Sequence, residues 1–251
     1  MPRHRTQAIV LSTTDYGEFD RIVALCTRDS GRITGIAKGA KRSIKRFGGA
    51  LETGSSIEVS LFEKKGASLT RLEHCDLLDT WKSIRGNLEK FLVMCQILEM
   101  VRELLPEREK NSEVFLLLLH MITLLEKIPS PEPAPFLLTF EVKLLRLIGF
   151  RPNLEHCVVC KKVINATEES SLGFNPVKGG VVCSACRRDE KTISCDALDS
   201  MKTALKMKVN DIPSFVSQPN AVGEARSLLR EFLEMRIGKR LKSPDVAQSL
   251  R

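Results

Sequence analysis

At 251 residues the chain is long enough for one large domain or two to three small ones, and its 43 % hydrophobic content suffices for an ordinary core. The longest apolar stretch, Val114 to Leu125 broken by His120, is too short to span a bilayer, and the opening MPRHRTQAIVLS has no long apolar run; both point to a cytoplasmic chain whose eight cysteines stay reduced. The formal net charge of +8 favours an anionic partner and no membrane, and the cationic excess sits at the two ends: Lys and Arg outnumber Asp and Glu by 13 to 10 over residues 1–80 and by 11 to 7 over 191–251, against 9 to 9 over 81–150.

Residues 1 to 79 read as strands. Gln7–Ser12, Asp20–Thr27, Arg32–Ala37, Ser56–Glu63 and Leu69–Leu78 are short, β-branched or alternating, and bounded by Gly, Asp, Thr and Ser. Ile57, Val59 and Leu61 alternate with Glu58 and Ser60, so one face is buried and one is wet. Five strands over this length suit a small barrel such as the OB-fold, with a sandwich or an SH3-like barrel as the competing arrangements. Cys26, Cys75 and Cys95 lie among apolar residues and read as small core side chains.

From Trp81 the period changes. Leu88, Phe91, Leu92, Cys95, Leu98, Val101, Leu104 and Leu105 recur at three and four, which predicts a helix ended by Pro106. A second helix is expected over Ser112–Lys127, with Ser112 as N-cap. Ile128 to Pro135, IPSPEPAP, reads as a stiff non-helical connector. A third helix is expected from Phe136 to Ile148, stopping at Gly149. A fourth starts near Ser194, and a fifth runs from Ala221 to Leu241 with Leu228, Leu229, Phe232, Leu233, Ile237 and Leu241 on one face. Asp245 to Arg251 reads as frayed.

Between the third and fourth helices stand two paired cysteines, Cys157-x-x-Cys160 and Cys183-x-x-Cys186. Two intervening residues let both thiolates of a pair point at one ion, and two such turns supply four soft ligands in tetrahedral geometry, the preference of structural Zn²⁺. The alternative is a pair of redox CxxC motifs; a disulfide framework is disfavoured by the length of the chain. Four cysteines close the coordination sphere, so the ion folds the segment from Arg151 to Arg188 and leaves no open position for catalysis. His156 precedes Cys157 and reads as an exposed loop residue rather than a ligand. With four thiolates and one Zn²⁺ the net charge becomes about +6.

The densest basic run is Lys38-Gly-Ala-Lys41-Arg42-Ser-Ile-Lys45-Arg46, with no acid in it; Arg28 and Arg32 precede it closely. A flexible cationic loop beside a barrel face neutralises several phosphates at once, so all seven cations are candidate phosphate contacts. Aromatics near it are few: Tyr16, Phe19, Phe47 and Phe62. That scarcity argues for holding a nucleic acid by its backbone, with the bases left free to pair. The run Arg236, Lys239, Arg240, Lys242 closes the fifth helix, where cations complement the helix dipole or meet an acidic partner.

The chain resembles the bacterial recombination mediator RecO family nearly end to end. The match includes Asp15-Tyr16-Gly17-Glu18, the turn from Thr27 to Gly31, and Ala37-Lys38-Gly39-Ala40-Lys41-Arg42. It continues through Phe47 to Glu52, Phe140-Glu141, Leu144-Leu145 and Gly149-Phe150-Arg151-Pro152, and closes on Cys157-x-x-Cys160 and Gly179 to Cys183. Lys161 departs from it, standing where relatives often have glycine. The resemblance implies an α+β multidomain protein: an N-terminal OB-fold β-barrel at 1–79, a helical domain at 80–150 and 191–251, and an embedded four-cysteine zinc finger at 151–190. It implies binding of single- and double-stranded DNA at Lys38, Lys41 and Arg42, annealing, and, with RecR, loading of recombinase onto strands coated by single-strand-binding protein, without enzymatic activity and at the nucleoid. It further implies docking of the acidic C-terminal tail of single-strand-binding protein on the helical half, for which Arg226, Arg230, Arg236, Lys239 and Arg240 are candidate rim cations. A zinc-ribbon nucleic-acid-binding regulator without annealing activity is the alternative. A nuclease is disfavoured by scattered acids with no DxD or HxE pair.

Overall fold

A computed structural model describes residues 3–62, 69–129, 132–165 and 171–249. By contact the chain divides into two compact units, Met1–Lys127 with Val246–Arg251, and Ile128–Asp245.

The first unit is built on five strands: β1 Arg3–Tyr16, β2 Asp20–Thr27, β3 Gly31–Ala37, β4 Ser56–Phe62 and β5 Thr70–Asp79. They close into a barrel in the order β1-β2-β3-β5-β4, with β3 and β5 parallel and the other neighbours antiparallel. This is the OB-fold arrangement, and closure rules out a sandwich. β1 makes closure feasible. Its first half pairs with β4 and its second half with β2, and an irregularity between Val10 and Ser12 bends it from one partner to the other. Alternation along β3 and β4 sends Ile33, Ile57, Val59 and Leu61 inward to Val10, Val23, Leu25 and Leu72. β1 is longer than its apolar run, because the flanking polar residues still pair. Glu63, the expected end of β4, lies outside the described residues.

A short helical turn, α1 Ile44–Phe47, follows β3, and another, α2 Lys82–Arg85, follows β5. The helices α3 Leu88–Leu104 and α4 Ser112–Lys127 pack within the same unit. Asn111, not Ser112, caps α4: its side chain accepts from the Val114 amide at 3.1 Å, which leaves Ser112 as the first helical residue. Trp81 donates its indole N–H to the Gly54 carbonyl at 2.9 Å, and Arg32 donates to the Leu105 carbonyl at 2.8 Å, so the barrel is tied to the start of α2 and to the end of α3. Cys26 and Cys75 are buried in the barrel and their thiols are pushed up to about 12 by burial; Cys95 on α3 is half-buried.

The second unit holds α5 Pro133–Leu147, α6 Cys195–Lys206, a 3-10 turn at Val209–Ser214 and α7 Pro219–Ile237, which pack on one another. α5 begins earlier than expected, inside IPSPEPAP. Proline is tolerated in a first turn, where its missing N–H would have no intrahelical partner. Ser130 and Pro131 of the expected connector lie outside the described residues. Ser194 caps α6, accepting from the Ala197 amide at 3.1 Å. α7 ends at Gly238 in a left-handed conformation, short of Leu241, which is nonetheless buried. Between α5 and α6 stand three short strands, β6 Leu172–Asn175, β7 Gly180–Val182 and β8 Lys191–Ile193, ordered β7-β6-β8. A last helix, α8 Ser243–Ser249, replaces the frayed end expected from Asp245; residues 250–251 lie outside the description. No helix among the described residues is long and apolar enough to cross a membrane.

Candidate nucleic-acid interface and metal centre

The basic run folds as an ordered turn rather than a flexible loop. Gly39 donates its amide to Asp20 at 2.7 Å and Lys41 donates its own to the Phe19 carbonyl at 3.0 Å, which ties the run to the start of β2. Phe47 then turns into the barrel core, 2 % exposed. The run is thereby pinned at both ends, and Lys38, Lys41, Arg42, Lys45 and Arg46 share one end of the barrel.

Their engagement differs. Lys41 pairs with Asp15 at 2.8 Å, and Arg21 bridges Asp15 and Glu52 at 3.4 and 3.2 Å. The hydrogen bond from Lys41 is the chief reason the Asp15 carboxyl sits below its usual range. Arg42 stacks over the Phe19 ring at 3.1 Å. Arg46 donates to the Lys38 carbonyl at 2.8 Å and to Ser43 at 3.0 Å. Lys38 and Lys45 are exposed, and their ammonium groups have no ion-pair or hydrogen-bond partner among the described residues. Arg21 is a cation that the sequence reading passed over, because nothing in a strand residue marks it. Its register does: Arg21 pairs with Ala37, directly beside Lys38.

Arg28 and Arg32 lie elsewhere. The β2–β3 register runs from Arg21–Ala37 at the basic turn to Thr27–Gly31 at the far end, about 20 Å away at 3.3 Å per residue. Arg28 is exposed in the turn there, and Arg32 is committed to the Leu105 carbonyl. Of the four aromatics, Phe47 is core and Phe19 lies under Arg42, while Tyr16 is exposed.

The metal centre is assembled by short-range backbone hydrogen bonds. Cys157 donates its amide to the Lys162 carbonyl at 2.8 Å, and Lys161 donates back to the Cys157 carbonyl at 2.9 Å. Lys161 takes φ +66, the left-handed region that favours glycine. At the second pair, Cys186 and Arg187 both donate to the Cys183 carbonyl, at 3.1 and 3.0 Å. Val158 donates to the Val181 carbonyl at 2.9 Å, which fixes the first turn against β7, the strand that runs into Cys183. Close approach here requires Gly180: a Cβ would stand 2.4 Å from the Asn153 carbonyl oxygen.

The four Sγ atoms lie within 4.8 Å of one another, and Cys160 and Cys183 Sγ are 3.7 Å apart. A tetrahedron with 2.3 Å metal–sulfur arms has an edge of about 3.8 Å, so the donor set fits a tetrahedral ion. Burial raises the Cys157 thiol, but amide donation from Cys160, Cys183 and Val159 outweighs it and brings the thiol to about 6. Donating hydrogen bonds to the Cys160 and Cys183 sulfurs pushes the Cys186 thiol up to about 12. A divalent cation is what allows all four to be thiolates together. Among the described residues these four form the one cluster of His, Cys, Asp or Glu able to hold a metal, and His156 is exposed outside it.

The centre sits on a small core of its own. Leu172, Phe174, Val181 and Val182 are buried, and Phe174 meets Phe232 of α7 edge to face at 6.4 Å. Arg236 lies 4.8 Å from the Phe232 ring and 5.2 Å from Phe150, and donates to the Val177 carbonyl at 3.0 Å. It therefore joins α7 to the cysteine segment. Arg226 is committed to the buried Glu141 at 3.0 Å, and Arg230 to Glu234 and Asp245 at 2.9 and 2.6 Å. Lys239 and Arg240 are exposed beyond the end of α7.

Residues 1–81 match the family described as Recombination protein O N terminal, and residues 85–245 that described as Recombination protein O C terminal. Similar curated proteins include the DNA repair protein RecO of Symbiobacterium thermophilum, 31 % identical over 254 residues, which cover 100 % of this chain and 99 % of that one. The DNA repair protein RecO of Koribacter versatilis is 34 % identical over 94 % of this chain and 95 % of its own. That of Myxococcus xanthus is 32 % identical over 98 % and 97 %.

Proposed function

The chain belongs to the RecO family of DNA repair proteins, and from that premise we propose that it is a non-enzymatic mediator that binds single- and double-stranded DNA and anneals complementary strands. Together with RecR it helps load recombinase onto strands coated by single-strand-binding protein. On this reading residues 1–79 are the DNA-binding domain, 80–150 and 191–251 the helical domain that meets the acidic tail of single-strand-binding protein, and 151–190 a finger folded by one Zn²⁺ on Cys157, Cys160, Cys183 and Cys186. The working place is the cytoplasm, at the nucleoid.

One observation carries it: the gathering of Lys38, Lys41, Arg42, Lys45 and Arg46 on the turn after β3 and on α1. Asp15 offsets Lys41, so Lys38, Lys45, Arg42 and Arg46 carry most of the attraction. Four phosphate contacts give a log–log salt slope of about 2.8 on single strands, at roughly 0.7 each. Backbone capture lowers the repulsion between two strands while few protein rings compete for the bases, and that combination favours annealing. Zn²⁺ supplies folding free energy and takes no part in chemistry.

Complementary oligonucleotides should pair faster with the protein than without it, in the absence of ATP. The paired substitution Lys38→Ala with Lys45→Ala should lower the salt slope by about 1.4, and Lys41→Ala should change it less. Unchanged affinity and slope in the double variant would remove this turn from the DNA site, and unaccelerated pairing would leave a passive binder.

A further inference from the structure

The cationic turn borders a cavity, and, resting on the reading that this end of the barrel meets DNA, we infer that the cavity takes one unstacked nucleobase from the bound strand. Its volume is about 230 Å³. That is room for about eight waters at roughly 30 Å³ each, the scale of one heterocyclic base rather than of a whole nucleotide. Phe47 and Leu51, each 2 % exposed, line it from the barrel core. Ile44 stands at its mouth, 84 % exposed on the α1 turn. The ring faces of a base are apolar enough to lie against these side chains.

The remaining wall is polar and balanced in charge. Arg21 and Glu52, 3.2 Å apart, both line the cavity, with Lys41 beside them held by Asp15. The Nε of Arg21 is buried and lies 3.4 Å from Asp15 Oδ1, an ion pair without hydrogen-bond geometry. An anion would meet the Glu52 carboxylate here, so the cavity suits a neutral ligand. The Watson–Crick edge of every nucleobase carries both donors and acceptors, and an adjacent guanidinium and carboxylate offer one of each. The recognition is therefore tolerant of sequence. Lys38 and Lys45, on the same turn, hold the flanking phosphates. One base is drawn aside for each bound protein while its neighbours stay unstacked and free to pair, so the capture is compatible with annealing.

Binding of an oligothymidylate is compared with binding of an abasic deoxyribose-phosphate strand of the same length and charge. Wild-type protein should bind the abasic strand about 5-fold more weakly, at the low end for base contacts because the walls are aliphatic rather than stacked rings. Ile44→Ser, at a position too exposed to affect folding, should bring the two strands to equal affinity. Lys38→Ala with Lys45→Ala should weaken both strands alike and keep the ratio. Equal affinities in the wild type, with the charge variant still weakened, would overturn the base site and leave the phosphate reading standing. A ratio that persists in Ile44→Ser would place the base contact elsewhere and overturn this cavity. Failure of the wild type to bind either strand would end both readings.

Discussion

Glu141 shows how one residue constrains the reading of another. It is 3 % exposed on α5, and burial raises its carboxyl above the usual range, with Arg226 opposing that rise. Arg226 donates to Oε1 through both Nε and Nη2, at 3.2 and 3.0 Å, and Oε2 is buried without a partner. A buried carboxylate stripped of its cation is costly, so Arg226→Ala should destabilise the protein by about 3 kcal/mol, the low end because Arg226 keeps some solvent contact. Adding Glu141→Gln should recover much of that loss in denaturant melts. A neutral Arg226→Ala would free this guanidinium for the partner role expected from its charge alone.

Lys161 is the second residue with a measurable burden. A left-handed backbone costs a side-chain-bearing residue about 1–2 kcal/mol, and glycine avoids it. Lys161→Gly should hold zinc at least as tightly as the wild type, since the relief exceeds or matches the added entropy of the unfolded chain. Lys161→Val should weaken zinc about 10-fold, because a β-branched residue fits this region worst. Chelator competition reads both, and equal affinities for all three would mean that the turn relaxes freely.

At the scale of elements, what was legible in the sequence was whatever repeats locally. β2 spans Asp20–Thr27 as its apolar run indicates, and α4 spans Ser112–Lys127. The two CxxC turns and the cationic run declared themselves by spacing and density. What was hidden depends on distant partners. The polar ends of β1 are strand because β2 and β4 pair with them, and β6 to β8 are three or four residues long, too short for any period to show. Prolines 133 and 135 read as breakers until their first-turn position is known. Leu241 keeps the helical face of α7 in the sequence, but Gly238 ends the helix first and Leu241 is buried from a loop. The cationic run is the clearest case. Its charges were visible, whereas their sorting into free Lys38 and Lys45, paired Lys41 and stacked Arg42 depends on Asp15 and Phe19, which lie 26 and 23 residues before the cations they engage.

At the scale of the whole molecule, the division into two units sets what metal loss can reach. The cysteine segment belongs to Ile128–Asp245, and the barrel to the other unit, with its own core of Val10, Leu25, Ile33 and Leu61. The purified protein should carry one tightly bound Zn²⁺ per chain by elemental analysis. Removing it with a strong chelator, or replacing Cys183 by Ser, should strip hydrogen-exchange protection from the two cysteine turns and from β7, which runs into Cys183. Protection in β6 should fall less, because Phe174 remains packed on Phe232 whatever the thiolates do. The barrel strands should keep theirs. Acid should act as the chelator does, since protons compete with the ion for four thiolates, so retention falls as pH falls. Protein free of metal after careful handling would refute the zinc assignment. Exchange that rises equally in β1 to β5 would show instead that the ion stabilises both units together, and that the barrel does not hold its fold on its own core.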